Sequence, residues 1–166
     1  MFERIDPLKL ADNPFKLIGE DWMIISAKGK EKSSGMTASW GGVGILYNKP
    51  VCFCFVRPQR YTYKLVENTD YVTFSFFDES YKKVLGYFGR ASGYNEDKIA
   101  ESGLCAITEN EYVWYDEARL VIKARKIYAD DIKENCFIDT TKLEHYPSKD
   151  YHRVYICEIE EVLIKR

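Results

Sequence analysis

A mainly β fold, an antiparallel barrel with short helical insertions, is the class this sequence predicts. Four observations carry it. Strand-like stretches recur along the chain, as at Trp22–Lys28, Val51–Val56 and Tyr71–Phe77. Helical patterns are few and short. Strands and helices do not alternate regularly, which argues against a parallel βαβ sheet. Aromatic residues make up 15% of the chain, with 13 tyrosines, and such residues favour strands.

The elements follow in order. Asn13, Pro14 and Gly19 punctuate a short helix, as cap, first position and stop. Trp22–Lys28 reads as a strand. Lys28–Ser34, KGKEKSS, reads as a polar, solvated hairpin tip. Met36–Trp40 is a strand or strand edge. Gly41–Gly44 is expected to turn or bulge, because glycine weakens a strand. Val51–Val56 is apolar on both faces and short, the mark of a central strand. Thr62–Asn68 has helical character, with Thr62 expected as cap.

In Tyr71–Phe77, Val72, Phe74 and Phe76 share one face and Thr73 and Ser75 the other. Tyr81, Val84, Leu85 and Phe88 repeat at helical spacing after Asp78 or Ser80. Ser92-Gly93 breaks that helix. Asn95 is expected to cap another, ending near Gly103. Strands are expected near Cys105–Thr108, Tyr112–Trp114, Ala118–Ala129 and His152–Ile164, with a short helix and loop between Asp130 and Asp150.

At 166 residues the chain is expected to form one domain, residues 1–166. The formal net charge is -2 with charges interspersed, which argues against a general nucleic-acid surface. No apolar run approaches the ~18 residues of a membrane helix. The N-terminus lacks a signal-peptide apolar region. The five cysteines are odd in number and scattered, so free thiols and a cytoplasmic setting are expected. Cys52 and Cys54 share a strand face and read as buried small hydrophobes.

Several chemistries are missing. There is no Gly-x-Gly-x-x-Gly, Walker loop, His-Glu-x-x-His or Cys-x-x-Cys. His145 and His152 are the only histidines, and no Gly-x-Ser-x-Gly elbow exists. Metal hydrolysis and serine-triad chemistry are therefore poor readings, and no metal site is expected. Two stretches remain. Arg57, Arg60 and Thr62 lie just ahead of a helix start, where guanidinium forks, a hydroxyl and free N–H groups suit a phosphate. Met36–Trp40 offers backbone groups, a small Ala38 and the hydroxyls of Thr37 and Ser39, which suit a flat heterocycle.

Three ordered motifs then carry a resemblance. They are Met36-Thr37-Ala38-Ser39-Trp40-Gly41, Val56-Arg57-Pro58-Gln59-Arg60-Tyr61-Thr62, and Gly89-Arg90-Ala91-Ser92-Gly93 with Asp97-Lys98. Together the chain resembles the flavin reductase-like, FMN-binding split-barrel family, near its flavoredoxin branch. The likeness runs from about Asn13 to the last strand. It implies a Greek-key FMN-binding split barrel, commonly a homodimer with FMN near the interface.

The resemblance also implies roles. Ser34, Met36, Thr37, Ala38, Ser39 and Trp40 line the flavin ring. Arg57, Arg60, Tyr61 and Thr62 form the phosphate segment. Ser92 and Gly93 approach the cofactor or nicotinamide, and His152 is the candidate for proton exchange. Ser34 stands where relatives often carry asparagine, Gln59 where they carry serine or threonine, and Tyr94 where they carry arginine. The implied activity is hydride transfer from NADH or NADPH to flavin, with electrons passed to an acceptor, which can be a partner protein. The alternative is an FMN electron carrier or sensor without NAD(P)H turnover. A non-flavin barrel that binds nucleic acid or protein would show a basic, aromatic stripe, which the alternating aromatics do not form.

Overall fold

A computed structural model describes residues 1–166. Ten strands form: β1 (Phe2–Ile5), β2 (Met23–Ala27), β3 (Ser34–Ala38), β4 (Gly41–Leu46), β5 (Lys49–Val56), β6 (Tyr71–Phe76), β7 (Ala106–Glu109), β8 (Tyr112–Tyr115), β9 (Leu120–Asp131) and β10 (Arg153–Lys165). Four helices accompany them: α1 (Pro14–Lys16), α2 (Tyr61–Glu67), α3 (Lys82–Arg90) and α4 (Lys98–Ser102). No helix is long and apolar enough to cross a membrane.

The main sheet runs β3-β2-β6-β9-β10-β5-β4, with β1 added on β10. Every pairing in it is antiparallel. The two end strands, β3 and β4, are consecutive in the chain and joined only by Ser39 and Trp40. Three Cα steps of ~3.8 Å allow at most about 11 Å between Ala38 and Gly41. The sheet must therefore curl until its ends meet, which makes it a barrel. Since β3 and β4 do not pair, the barrel stays split there.

The residue pattern explains the two cores. Met23, Ile25, Phe74, Phe76, Ile122, Tyr155 and Cys54 fill the barrel interior, which Leu65 and Val66 of α2 close. The opposite face of β2, β6 and β9 is also covered. Leu85 and Phe88 of α3 and Tyr112, Trp114 and Tyr115 of the β7–β8 hairpin pack there with Ile24 and Val121. Thr73 and Ser75, on the second face of β6, are therefore buried rather than solvated. Thr73 compensates by donating to the Val113 carbonyl, and Ser26 bonds the Tyr115 hydroxyl at 3.0 Å. By contrast, Phe53, Phe55, Val154 and Ile156, on the outer face of β5 and β10, stay half-exposed.

Most expected elements form, with five corrections. Asn13 caps α1 by accepting from the Phe15 and Lys16 N–H groups, but the coil continues through a wider turn, Leu17–Asp21, so Gly19 is internal. Gly41–Gly44 does not turn. It is strand, because pairing with β5 outweighs glycine's weak propensity, and the Phe53 ring covers Gly42. The turn falls at Tyr47–Asn48, both at positive φ, a two-residue hairpin between Leu46 and Lys49.

Arg60, not Thr62, is the cap residue of α2. Thr62 lies inside the first turn and is buried. Asp97, not Asn95, caps α4, accepting from the Ile99 and Ala100 N–H groups, while Gly103 ends it in the left-handed region as expected. The fifth correction is β1, absent from the expected strands, which pairs with the end of β10.

Candidate functional site

The cleft lies at the split. Its wall is Met36, Thr37, Ala38, Ser39, Trp40, Phe55, Arg57, Arg60 and His152, around roughly 200 Å³. The sequence separates these residues by over a hundred positions. The fold joins them because β3 leads into the Ser39–Trp40 link, β5 runs into Arg57, and β10 begins just after His152. As an end strand, β3 has one backbone edge unpaired within the sheet, so its N–H and C=O groups are free to meet a flat ring.

The two arginines differ in how their charge is met. Arg57 bonds the Asp150 carboxylate at 2.7 Å and the His145 carbonyl at 3.0 Å, and lies over the Tyr146 ring. Gln59 donates to the same Asp150 oxygen at 2.7 Å. The Gln59 and Arg57 bonds hold the Asp150 carboxyl below its ordinary range. Arg60 instead bonds two carbonyls at the end of α3, Gly89 at 2.8 Å and Phe88 at 3.0 Å. Carbonyls accept its hydrogen bonds but carry no formal charge, so Arg60 has no counter-ion.

A third cation stands behind it. Lys98, only 2% exposed, donates to the same Phe88 carbonyl at 3.0 Å. It too lacks a carboxylate partner. Burial first, then the nearby Arg60 charge, lower its pKa to about 8. The Arg60 end of the cleft is thus a concentration of positive charge with no carboxylate bonded to it, Glu96 acting on Lys98 only from a distance. An anion seated there would relieve it.

His152 is buried against Trp40, with ring centres 5.3 Å apart, and its Nδ1 shares a 2.7 Å hydrogen bond with the Tyr146 hydroxyl. Burial, then the Arg57 charge, lower its pKa to about 4. At neutral pH the imidazole is uncharged and fixed in place, rather than poised between protonation states.

The remaining expected residues divide. Thr37 lines the cleft, but its hydroxyl donates to the Leu85 carbonyl at 2.6 Å and so ties β3 to α3. The Ser34 hydroxyl is buried without a hydrogen-bond partner. Thr62 lies in the α2 first turn and does not line the cleft. Tyr61, Ser92 and Gly93 sit on the next surface, where the Tyr61 ring packs on Gly93. Sequence reasoning did not single out Phe55, Asp150, Lys98 or Tyr146 for the site. Asp97-Lys98 was in the third motif, but no spacing rule announces a buried ammonium.

This fold and cleft define a class: split β-barrels with a charged seat at the split. A sequence profile of the flavin reductase like domain matches residues 16–166, so the chain belongs to the flavin reductase-like family. Solved structures share the fold. Flavoredoxin of Desulfovibrio vulgaris (Miyazaki F) superposes with a TM-score of 0.69 at 21% identity, over 87% of this chain and 69% of that one. An FMN-binding protein from Thermus thermophilus gives 0.68 at 14% identity, over 87% and 71%. A Streptomyces globisporus C-1027 NADH:FAD oxidoreductase gives 0.64 at 12%, over 87% and 75%. At these identities the likeness is one of fold. No curated protein matches the sequence.

Proposed function

We propose that this cleft binds FMN and that the chain is an NAD(P)H-dependent flavin reductase. The observation that carries the reading is Arg60, a guanidinium without counter-ion at one end of a cleft walled by Trp40, Phe55 and Ala38. A ligand that is flat and apolar at one end and anionic at the other suits both ends. The residues fit FMN on two further counts. The β3 edge is free, and Lys98 adds charge behind Arg60. The relatives in fold include an FMN-binding protein and an NADH:FAD oxidoreductase, which supports the same reading.

Bound FMN would supply the redox chemistry, accepting hydride from NADH or NADPH and releasing electrons to an acceptor. The chain binds and orients. Arg60 holds the phosphate, while Trp40 and Phe55 exclude water from the ring. The β3 backbone presents donors to developing negative charge. His152, neutral and anchored by Tyr146, fixes the wall beside Trp40.

The absorption spectrum of the purified protein, with the released flavin identified by chromatography, tests the cofactor. A colourless protein that refuses added FMN rejects the reading. Anaerobic mixing with NADH and NADPH tests the activity, expected as rapid bleaching of the flavin band. An FMN-loaded protein that does not bleach is instead an electron carrier or sensor. The observation that favours that second reading is Tyr94, which follows Ser92-Gly93 where relatives often carry arginine.

We also propose a homodimer. The half-exposed Phe53, Phe55, Val154 and Ile156 form an apolar face continuous with the cleft through Phe55, and a second copy suits it. Sedimentation that gives a monomer at every concentration overturns this. The five free thiols support a cytoplasmic setting.

A further inference from the structure

A second cleft, of roughly 290 Å³, lies between the Lys28–Ser34 hairpin and α2. Lys28, Lys30, Lys32 and Lys64 line it with Tyr61 and Leu65. Glu31 is its one acidic side chain, and with Lys28 paired outside the cleft two positive charges remain in a chain of net charge -2. Lys30 and Lys64 have no ion-pair partner. Lys32 bonds the Gly93 and Glu96 carbonyls, at 2.6 and 3.2 Å, and these leave its charge uncompensated. Lys28 is the exception, at 3.6 Å from Glu111.

The cleft is built rather than incidental. A Cβ at Gly29 would lie 2.1 Å from the Lys32 carbonyl oxygen and 3.0 Å from Leu65, so glycine is what lets the hairpin close against α2. On the other flank a Cβ at Gly93 would lie 2.6 Å from the Tyr61 ring. Tyr94 then packs edge-on to that ring, with centres 5.0 Å apart. The ammonium of Lys32 sits 4.9 Å from the ring centre and that of Lys64 5.9 Å.

Position connects this cleft to the first one. Arg60 lines the flavin cleft and Tyr61, the next residue, lines the lysine cleft. One wall therefore divides two seats, and their Cα atoms are ~3.8 Å apart. At close to 300 Å³ the second seat is of a size for a small ligand or ligand fragment rather than a flat protein surface.

We propose that the lysine cleft takes the phosphorylated adenosine end of a nicotinamide dinucleotide, and so selects NADPH over NADH. Lys30, Lys32 and Lys64 hold the phosphate, and the Tyr61 ring flanks the base. This rests on the NAD(P)H reading above and sharpens it.

Calorimetric titration of the full chain with adenosine 2′,5′-bisphosphate, 5′-AMP and inorganic phosphate tests the proposal without turnover. The bisphosphate should bind saturably, more tightly than either of the others and more weakly at high salt. A Lys30→Glu, Lys64→Glu double variant, altered only at exposed positions, should lose tenfold or more of that affinity. Equal binding to parent and variant overturns the proposal, as does no binding at all. Inorganic phosphate binding as tightly as the bisphosphate overturns the nucleoside part. Binding of polyglutamate without the bisphosphate assigns the lysines to an acidic protein surface instead. FMN titration of the same samples reports separately on the first cleft, so failure of one reading is distinguishable from failure of the other.

Discussion

Arg57 and Arg60 are three residues apart, carry the same group and line the same cleft, yet they sit in opposite electrostatic situations. Arg57 faces a carboxylate, Asp150, which Gln59 also engages. Arg60 faces carbonyls and has another cation, Lys98, on the same acceptor. The first is a closed ion pair with solvent nearby. The second is a partly buried charge that lacks an anion. A pattern of residue types does not decide which arginine binds a ligand; the charges already around each one do.

The largest expected effect lies on the Arg57 side and concerns stability. His152 titrates near 6.5 when unfolded, and its folded pKa is about 4. Between those values the unfolded chain binds the proton and the folded chain does not. The stabilisation is present above pH ~6.5 and is lost as pH falls towards ~4, by about 3 kcal/mol at most. His152→Gln should flatten that part of the pH–stability curve, measured by urea unfolding. An identical slope in variant and parent would show that His152 is not held neutral.

Next in size is Arg60→Ala. It should weaken FMN binding by roughly 1.5–3 kcal/mol, the cost of a lost charged hydrogen bond, read by quenching of flavin fluorescence. Unaltered affinity would remove Arg60 from the phosphate seat. Arg57→Ala should cost less, on the order of 1 kcal/mol or below, because its charge is already spent on Asp150. If the two variants weaken FMN equally, the two arginines do not differ in how their charge is met. Asp150→Asn sharpens it, since freeing Arg57 should tighten FMN binding.

The smallest effect is a pH dependence of affinity. Lys98 loses its charge as pH rises through about 8. FMN should then bind a few-fold more weakly at pH 9.5 than at pH 7. Lys98→Met should abolish that decline, and a persistent decline would trace it elsewhere.

Much of this was legible in the chain. Alternation at Val72, Phe74 and Phe76 gave the strand, and the spacing of Tyr81, Val84, Leu85 and Phe88 gave α3. The motifs mark Met36, Thr37, Ala38, Ser39, Trp40, Arg57 and Arg60 as one site, and the fold brings them to one cleft. What stayed hidden was non-local. Asp150 lies far along the chain from Arg57, and nothing in its neighbourhood marks it as a counter-ion. Gly41–Gly44 read as a turn because local propensity was the only guide, whereas the register with Cys54–Val51 makes it a strand. Asn95 and Asp97 are both good caps by residue type, and only the backbone geometry chose the second.

The two-residue bridge of Ser39 and Trp40 has a mechanical consequence. It is the sole covalent crossing of the barrel's seam, so a molecule lodged against it touches the lip made by β3 while leaning on the lip that begins β4. Such a guest acts as a latch. Removing it should let both lips breathe, and amide hydrogen exchange in β3 and β4 should quicken in the empty protein while β6 and β9, deep in the ladder, keep their pace.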